Sequence, residues 1–271
     1  NLQVKSFHLS TDRKTVFMEL PGIKENRVVY FRIIRPFASA SGNELWTTES
    51  WYTLNQIPEN LPGQTTDYKV AHNTLTDEEL TNGWKLLFDG KSTTGLRNYN
   101  STELGEKWNI QDESLHLVGV NAGGEWKYKS GGDVVVTDKV YKDYEFYIEW
   151  KIAPKGNSGV IYNVIEDPKF GAPWLTGPEM QILDNAGHPD GQFPKHLAGD
   201  LYDMIASKVI SANGPNQWNR ARLIVKDGHV EQWLNGFKSV SFDFWTEEWD
   251  QRVKNSKFKD IPAFGTGHEG H

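Results

Sequence analysis

The stretch "YEFYIEWKI", Tyr144 to Ile152, constrains the fold more than any other. Phe146, Ile148, Trp150 and Ile152 fall on one side of an extended chain, and Glu145, Tyr147, Glu149 and Lys151 on the other. Alternation at period two is what a strand with one buried face requires, because successive side chains point to opposite faces. Further strand-like runs follow: "SLHLVG", "GDVVVTD", "GVIYNVI", "EMQIL" and "NRARLIVKDGHVEQWLNGFKSVSFDF". The last carries Asp227-Gly228 and Asn235-Gly236, two-residue turn signals of the kind that reverse a strand into a hairpin. Many antiparallel strands with little helix predict an all-β sandwich or jelly roll. The 11 Trp, 10 Tyr and 13 Phe suit such strands and read first as core.

Composition narrows the function. No run approaches the roughly 18 apolar residues of a membrane span. With no cysteine, disulfides, thiolate metal sites and cysteine nucleophiles are excluded. A net charge of −7 argues against a nucleic-acid partner. "GKSTTG" lacks the spacing of a phosphate-binding loop and has no βαβ setting. The opening "NLQVKSFHLS" has neither the basic start nor the apolar core of a signal peptide, and without Met it reads as a mature form or an excised fragment.

Two textures divide the chain. Residues 1–57 hold short alternating runs separated by turn signals, which predicts a small immunoglobulin-like β module with a packing or spacer role. Residues 58–73, rich in Pro, Gly and polar residues, read as a linker. A second domain is expected over 74–271, opening with Thr76 and Glu79 spaced as a capping box on a short helix.

Five motifs in this second region, "GWKLLFDGKSTTGL", "YEFYIEWKIAPKGNSGVIYNV", "GPEMQILDN", "AGDLYDMI" and "QWNRARLIVKDGHVEQWLNG", resemble in order and spacing the 3-keto-disaccharide hydrolase family. The resemblance implies a concanavalin A-like jelly roll, a β-sandwich of two curved antiparallel sheets with ligand on the concave face. It also implies cleavage of glycosides whose C3 hydroxyl has been oxidised to a ketone, and a bacterial protein of the periplasm or the outside of the cell. Two departures stand out. Asn163 sits where the family often has Arg, and the resemblance places the closing strand beyond "GHEGH".

The stretch "GPEMQILDNAGHPDG" poses the chemical question. Glu179 and Gln181 share one face of a strand, and Met180 and Ile182 the other. A solvent-facing strand accounts for this as well as a groove floor does, and the resemblance favours the groove. A standard glycosidase needs two carboxyl groups about 5–9.5 Å apart, depending on stereochemistry, whereas this strand supplies one. With a ketone at C3, however, the hydrogen on C2 is acidic, and a single base can remove it and expel the aglycone by elimination. Glu179 or a histidine would be the base, and a metal, Arg or Lys would hold the enolate oxygen.

The resemblance points to Glu179, His196 and Lys195 as catalytic candidates. It adds Asn157, Gln181, Asp184, His188, Tyr202 and Arg220 as substrate-binding candidates. For Asp184 turn chemistry is an equal reading, for His188 a solvated histidine, for Tyr202 a core position nearly so, and Trp218 reads as core. No cofactor is indicated. The terminal His268, Glu269 and His271 leave a divalent metal open, although zinc hydrolases space their histidines differently. The expected partner is a small carbohydrate; nothing in the chain speaks to oligomeric state. The rival function, from another class, is a non-catalytic carbohydrate-binding module.

Overall fold

The structure, a computed structural model, describes residues 4, 6–9, 16–20, 22–32, 49–55, 72–117, 120–122, 125–127, 131–136 and 139–271. The chain divides into two compact units, Asn1–Leu86 and Leu87–His271.

In the first unit, β1 (Ser6–Leu9) pairs antiparallel with β2 (Val16–Glu19), and β3 (Arg27–Arg32) with β4 (Glu49–Leu54). Val29 and Leu54 are buried, while Tyr30 and Trp51, cross-strand partners, meet on the exposed face with ring centroids 5.3 Å apart. Helix α1 (Asp77–Thr81) starts at the expected capping box. The Thr76 hydroxyl accepts from Glu79 N at 3.2 Å and the Glu79 carboxylate accepts from Thr76 N at 2.8 Å, which satisfies two amides the helix leaves open. Of the expected linker, residues 58–71 lie outside the described residues.

The second unit is a β-sandwich. It includes three short antiparallel pairs: β5 (Arg97–Asn98) with β10 (Val134–Val135), β6 (Trp108–Gln111) with β7 (Ser114–Leu117), and β8 (Val120–Ala122) with β9 (Glu125–Lys127). One main layer is a four-stranded antiparallel sheet in the order β11 (Tyr144–Trp150), β14 (Asn219–Lys226), β15 (His229–Leu234), β16 (Phe237–Asp243). Both hairpin turns form where the sequence places them. Asp227 and Gly228 adopt φ of 50° and 82°, and Asn235 and Gly236 50° and 84°; this left-handed backbone matches the twist of the strands it joins.

The inner face of this sheet presents Ala221, Leu223, Val225, Val230, Leu234, Val240 and Phe242, all buried. They form one core with Tyr162, Met180, Ile182, Leu201 and Met204 from the opposing layer. That layer is built on β12 (Asn157–Ile161) paired antiparallel with β13 (Glu179–Leu183). A buried hydrogen bond from Gln232 Nε2 to the Tyr162 hydroxyl, 2.9 Å, ties the layers together. Helix α2 (Glu247–Lys254) follows β16, capped by the Thr246 hydroxyl, which accepts from Trp249 N at 3.2 Å. Trp249 packs into the core beside Phe242, Phe244 and Phe264. No helix among the described residues is long and apolar enough to cross a membrane.

Candidate active site

Strand β13 has the alternation expected of it. Met180 and Ile182 are 2% and 6% exposed and sit in the inter-layer core. Burying the pair contributes about 1.5–3 kcal/mol per side chain, which turns Glu179 and Gln181 to the opposite face. There they line a cavity of about 300 Å³ with Asn157, Trp174, Tyr202, Lys257 and Phe258. That volume is at the small end of small-molecule sites.

Two local features shape the floor. In the β12–β13 pairing Gly159 lies diagonal to Glu179, and a Cβ there would stand 1.9 Å from Glu179 Oε1. The missing side chain is the space the carboxylate occupies. The segment "LAGDLYD" then runs along β13. Gly199 N donates to Gln181 O at 2.9 Å, Gln181 N to Asp200 O at 3.0 Å, and Tyr202 N to Glu179 O at 3.0 Å. Asp200, buried, braces this segment by accepting from Leu197 N (2.8 Å) and Ser207 N (2.7 Å). Leu201 enters the core, so alternation brings Tyr202 to the cavity wall.

The electrostatics follow from this packing. Burial pushes the Glu179 carboxyl up to about 7; the Lys257 ammonium opposes the rise, and the charges of Asp133 and Asp190 add to it. The Tyr202 hydroxyl donates to Asp190 Oδ2 at 3.1 Å. Burial and this bond push it up to about 12, so it stays protonated. Lys257 Nζ lies 3.9 Å from the centroid of the Tyr202 ring. Its backbone N donates to Asp203 Oδ2 at 2.6 Å.

Of the residues singled out from the sequence, Glu179, Gln181, Asn157 and Tyr202 meet in the cavity; the others lie elsewhere. His196 stands behind Tyr202, ring centroids 4.5 Å apart, with Nε2 3.3 Å from Asp203 Oδ1. Lys195 is a turn residue with φ of 70° whose carbonyl accepts from Asp203 N. Asp184 is buried and spent on turn amides, accepting from Lys155 N at 2.8 Å, Gly187 N at 3.1 Å and Ala186 N at 3.2 Å. His188 caps a short 3-10 helix, its Nδ1 accepting from Asp190 N at 3.1 Å.

Arg220 is on the outer face of the four-stranded sheet, 2.8 Å from its cross-strand partner Glu149. Asn219 takes the inward position at the start of β14, so Trp218 and Arg220 both turn outward. Trp218 is accordingly 47% exposed rather than in the core. Asn163 is buried, accepting from the Tyr144 hydroxyl at 2.8 Å. The terminal histidines part company: His268 stacks on Trp245 with centroids 4.0 Å apart, and His271 Nε2 lies 3.5 Å from Glu166.

The sequence reading missed Trp174, Lys257 and Phe258 as lining residues, and Asp190 as the partner of Tyr202. Asp190 lay within the stretch already singled out, but nothing in its local pattern marked it as a partner of Tyr202. Trp174 comes from a single 3-10 turn (Pro173–Leu175), and Lys257 and Phe258 from an irregular segment after α2, none with a periodic signal. A second, more open depression of about 560 Å³ is lined by Arg97, Asn100, Ser101, Thr102, Glu166 and Pro168. Its acid is already engaged: Arg97 reaches Glu166 through two bonds of 2.6 Å, holding the carboxyl below the usual range.

The profile of the 3-keto-alpha-glucoside-1,2-lyase-like domain matches residues 83–271. The chain belongs to this family. It is similar to the 3-keto-disaccharide hydrolase of Bacteroides thetaiotaomicron, 33% identical over 187 residues, covering 65% of this chain. The match spans 64% of that relative's length. It is also similar to a solved structure of a candidate glycosyl hydrolase from Parabacteroides distasonis, with 34% identity and a TM-score of 0.63. That likeness covers 73% of this chain and 89% of the other. The family match covers the whole of the cavity described above.

Proposed function

We propose that this protein cleaves 3-keto-glycosides, 3-keto-disaccharides among them, by elimination at Glu179 followed by return of water. The observation that carries the reading is a cavity acid held near neutrality by burial. A general base works best with a pKa near the operating pH, and a ketone at C3 asks for one base acting at C2. The family membership and the name of the Bacteroides relative support the substrate class.

In the proposed sequence the Glu179 carboxylate takes the proton from C2, and the electron pair of that bond passes into a C2–C3 enolate. Collapse of the enolate restores the C3 ketone, forms a C1–C2 double bond and breaks the C1–O bond. Protonated Glu179 returns its proton to the departing alkoxide. Water then adds across C1–C2, completing net hydrolysis.

The test is a 3-keto-glucoside with a chromogenic aglycone. The wild type is expected to release aglycone, with kcat/KM rising as pH increases through about 7 as Glu179 ionises. Glu179→Gln is expected to lower the rate by about 10²–10⁴-fold, the usual contribution of a positioned base. Deuterium at C2 should slow release. Binding without release by the wild type would identify a non-catalytic carbohydrate-binding module instead, and undiminished turnover by Glu179→Gln would overturn the base.

A further inference from the structure

The reaction proposed above leaves one requirement without a residue: positive charge at the oxygen on C3, where the enolate develops. Neither basic residue named from the sequence supplies it. Arg220 is paired with Glu149 on the outer sheet face, and Lys195 does not line the cavity. Among the described residues, Lys257 is the one cationic side chain that lines the cavity. Resting on the elimination reading, the geometry points to Lys257 as a catalytic residue whose ammonium holds the C3 oxygen while Glu179 takes the proton from C2.

Three observations support the assignment. The first concerns position. Phe258, 3% exposed, is buried in the core and stacks on Phe264 with centroids 4.0 Å apart, fixing the chain beside it. Asp203 Oδ2 anchors the Lys257 backbone N at 2.6 Å, and the same carboxylate meets His196 Nε2 through its other oxygen. His196 and Asp203 therefore act as positioning residues for the lysine, although neither lines the cavity.

The second concerns availability. Among the described residues the Lys257 ammonium makes no ion pair with a carboxylate; it rests on the Tyr202 ring at 3.9 Å and near the Phe258 ring at 5.0 Å. An ammonium on aromatic faces keeps its donors for a ligand while the rings hold it in place. The third concerns the gap. Glu179 and Lys257 line one cavity, and Lys257 acts on the Glu179 carboxyl, yet the two do not close into an ion pair. An acid and a cation facing each other across a space suit a ligand with a C–H bond beside a carbonyl. The base meets the first, and the cation meets the charge that develops on the second. No bond is made to Lys257, and its proton stays on nitrogen throughout.

Lys257 is exposed overall and its structural bond is through the backbone, so substitution leaves the fold in place. The experiment compares wild type, Lys257→Met and Lys257→Arg on the 3-keto-glucoside with a chromogenic aglycone. Lys257→Met should lose about 10²–10³-fold in kcat, the cost of removing one donor to a developing oxyanion, with KM changed less than about threefold on the same grounds of transition-state rather than ground-state binding. The acidic limb of its pH profile should move upward, since the charge that favours ionised Glu179 is gone. Lys257→Arg should recover part of the loss. Loss confined to KM, an unmoved pH limb, or full activity in Lys257→Met each overturns the assignment while the wild type still turns over. A wild type that releases no aglycone removes the reaction, and this role with it.

Discussion

Because Glu179 is kept near neutrality by burial, replacing it should make the protein more stable while making it less active. The carboxyl is raised from 4.5 to about 7. A rise of about 2.5 pH units corresponds, at 1.36 kcal/mol per unit, to about 3 kcal/mol of disfavour for the ionised form in the folded state. The sign follows from proton counting. Below pH 4.5 both folded and unfolded chains hold the proton, and Glu179 costs nothing. Between 4.5 and about 7 the folded chain holds it and the unfolded chain does not, so stability falls as pH rises; above 7 the loss is complete.

Glu179→Gln carries no such charge. Its stability relative to wild type should be small at pH 4.5 and grow to about 3 kcal/mol by pH 8.5, or about 6–12 °C in Tm for a unit of this size. Urea unfolding followed by tryptophan fluorescence measures it, since Trp150 and Trp249 are both buried in the second unit's core. An offset identical at pH 4.5 and pH 8.5 would refute the reasoning, because only a titrating group gives a pH-dependent difference.

Gly159→Ala should lower turnover by about 10²-fold, the usual penalty for an approximately 1 Å displacement of a reacting group, because the new Cβ would stand 1.9 Å from Glu179 Oε1. Circular dichroism should be unchanged, and activity within twofold of wild type would show that the carboxylate has room elsewhere. Arg220→Ala should leave turnover intact, since its ion pair with Glu149 lies on the outer sheet face. The pair is half-buried at the sheet surface, so the loss should be about 1 kcal/mol in urea unfolding, the upper end for surface pairs, and a large loss of kcat would return Arg220 to the site.

The strands were legible in the sequence because their signal is local. Side chains on extended backbone alternate by covalent geometry, so Phe146, Ile148 and Trp150, and equally Met180 and Ile182, declared their shared faces without any knowledge of partners. The same rule turned Glu179 and Gln181 away from the core, and the Asp227-Gly228 and Asn235-Gly236 turns announced their hairpins through backbone few residues tolerate. Alternation names a face but not what lies over it. Arg220 and Trp218 illustrate the gap: read as a site residue and a core residue, they flank Asn219, and only the packed sheet showed that Asn219 faces inward and both of them outward. Trp174, on a 3-10 turn just before β13, carried no periodic signal. Lys257 sits on an irregular segment far from Glu179 in sequence, brought to the cavity by the burial of Phe258 and Phe264 in the core and not by any local pattern. The raised carboxyl of Glu179 belongs to the tertiary structure for the same reason: desolvation sums over every atom packed around a group, and most of those atoms come from residues distant along the chain.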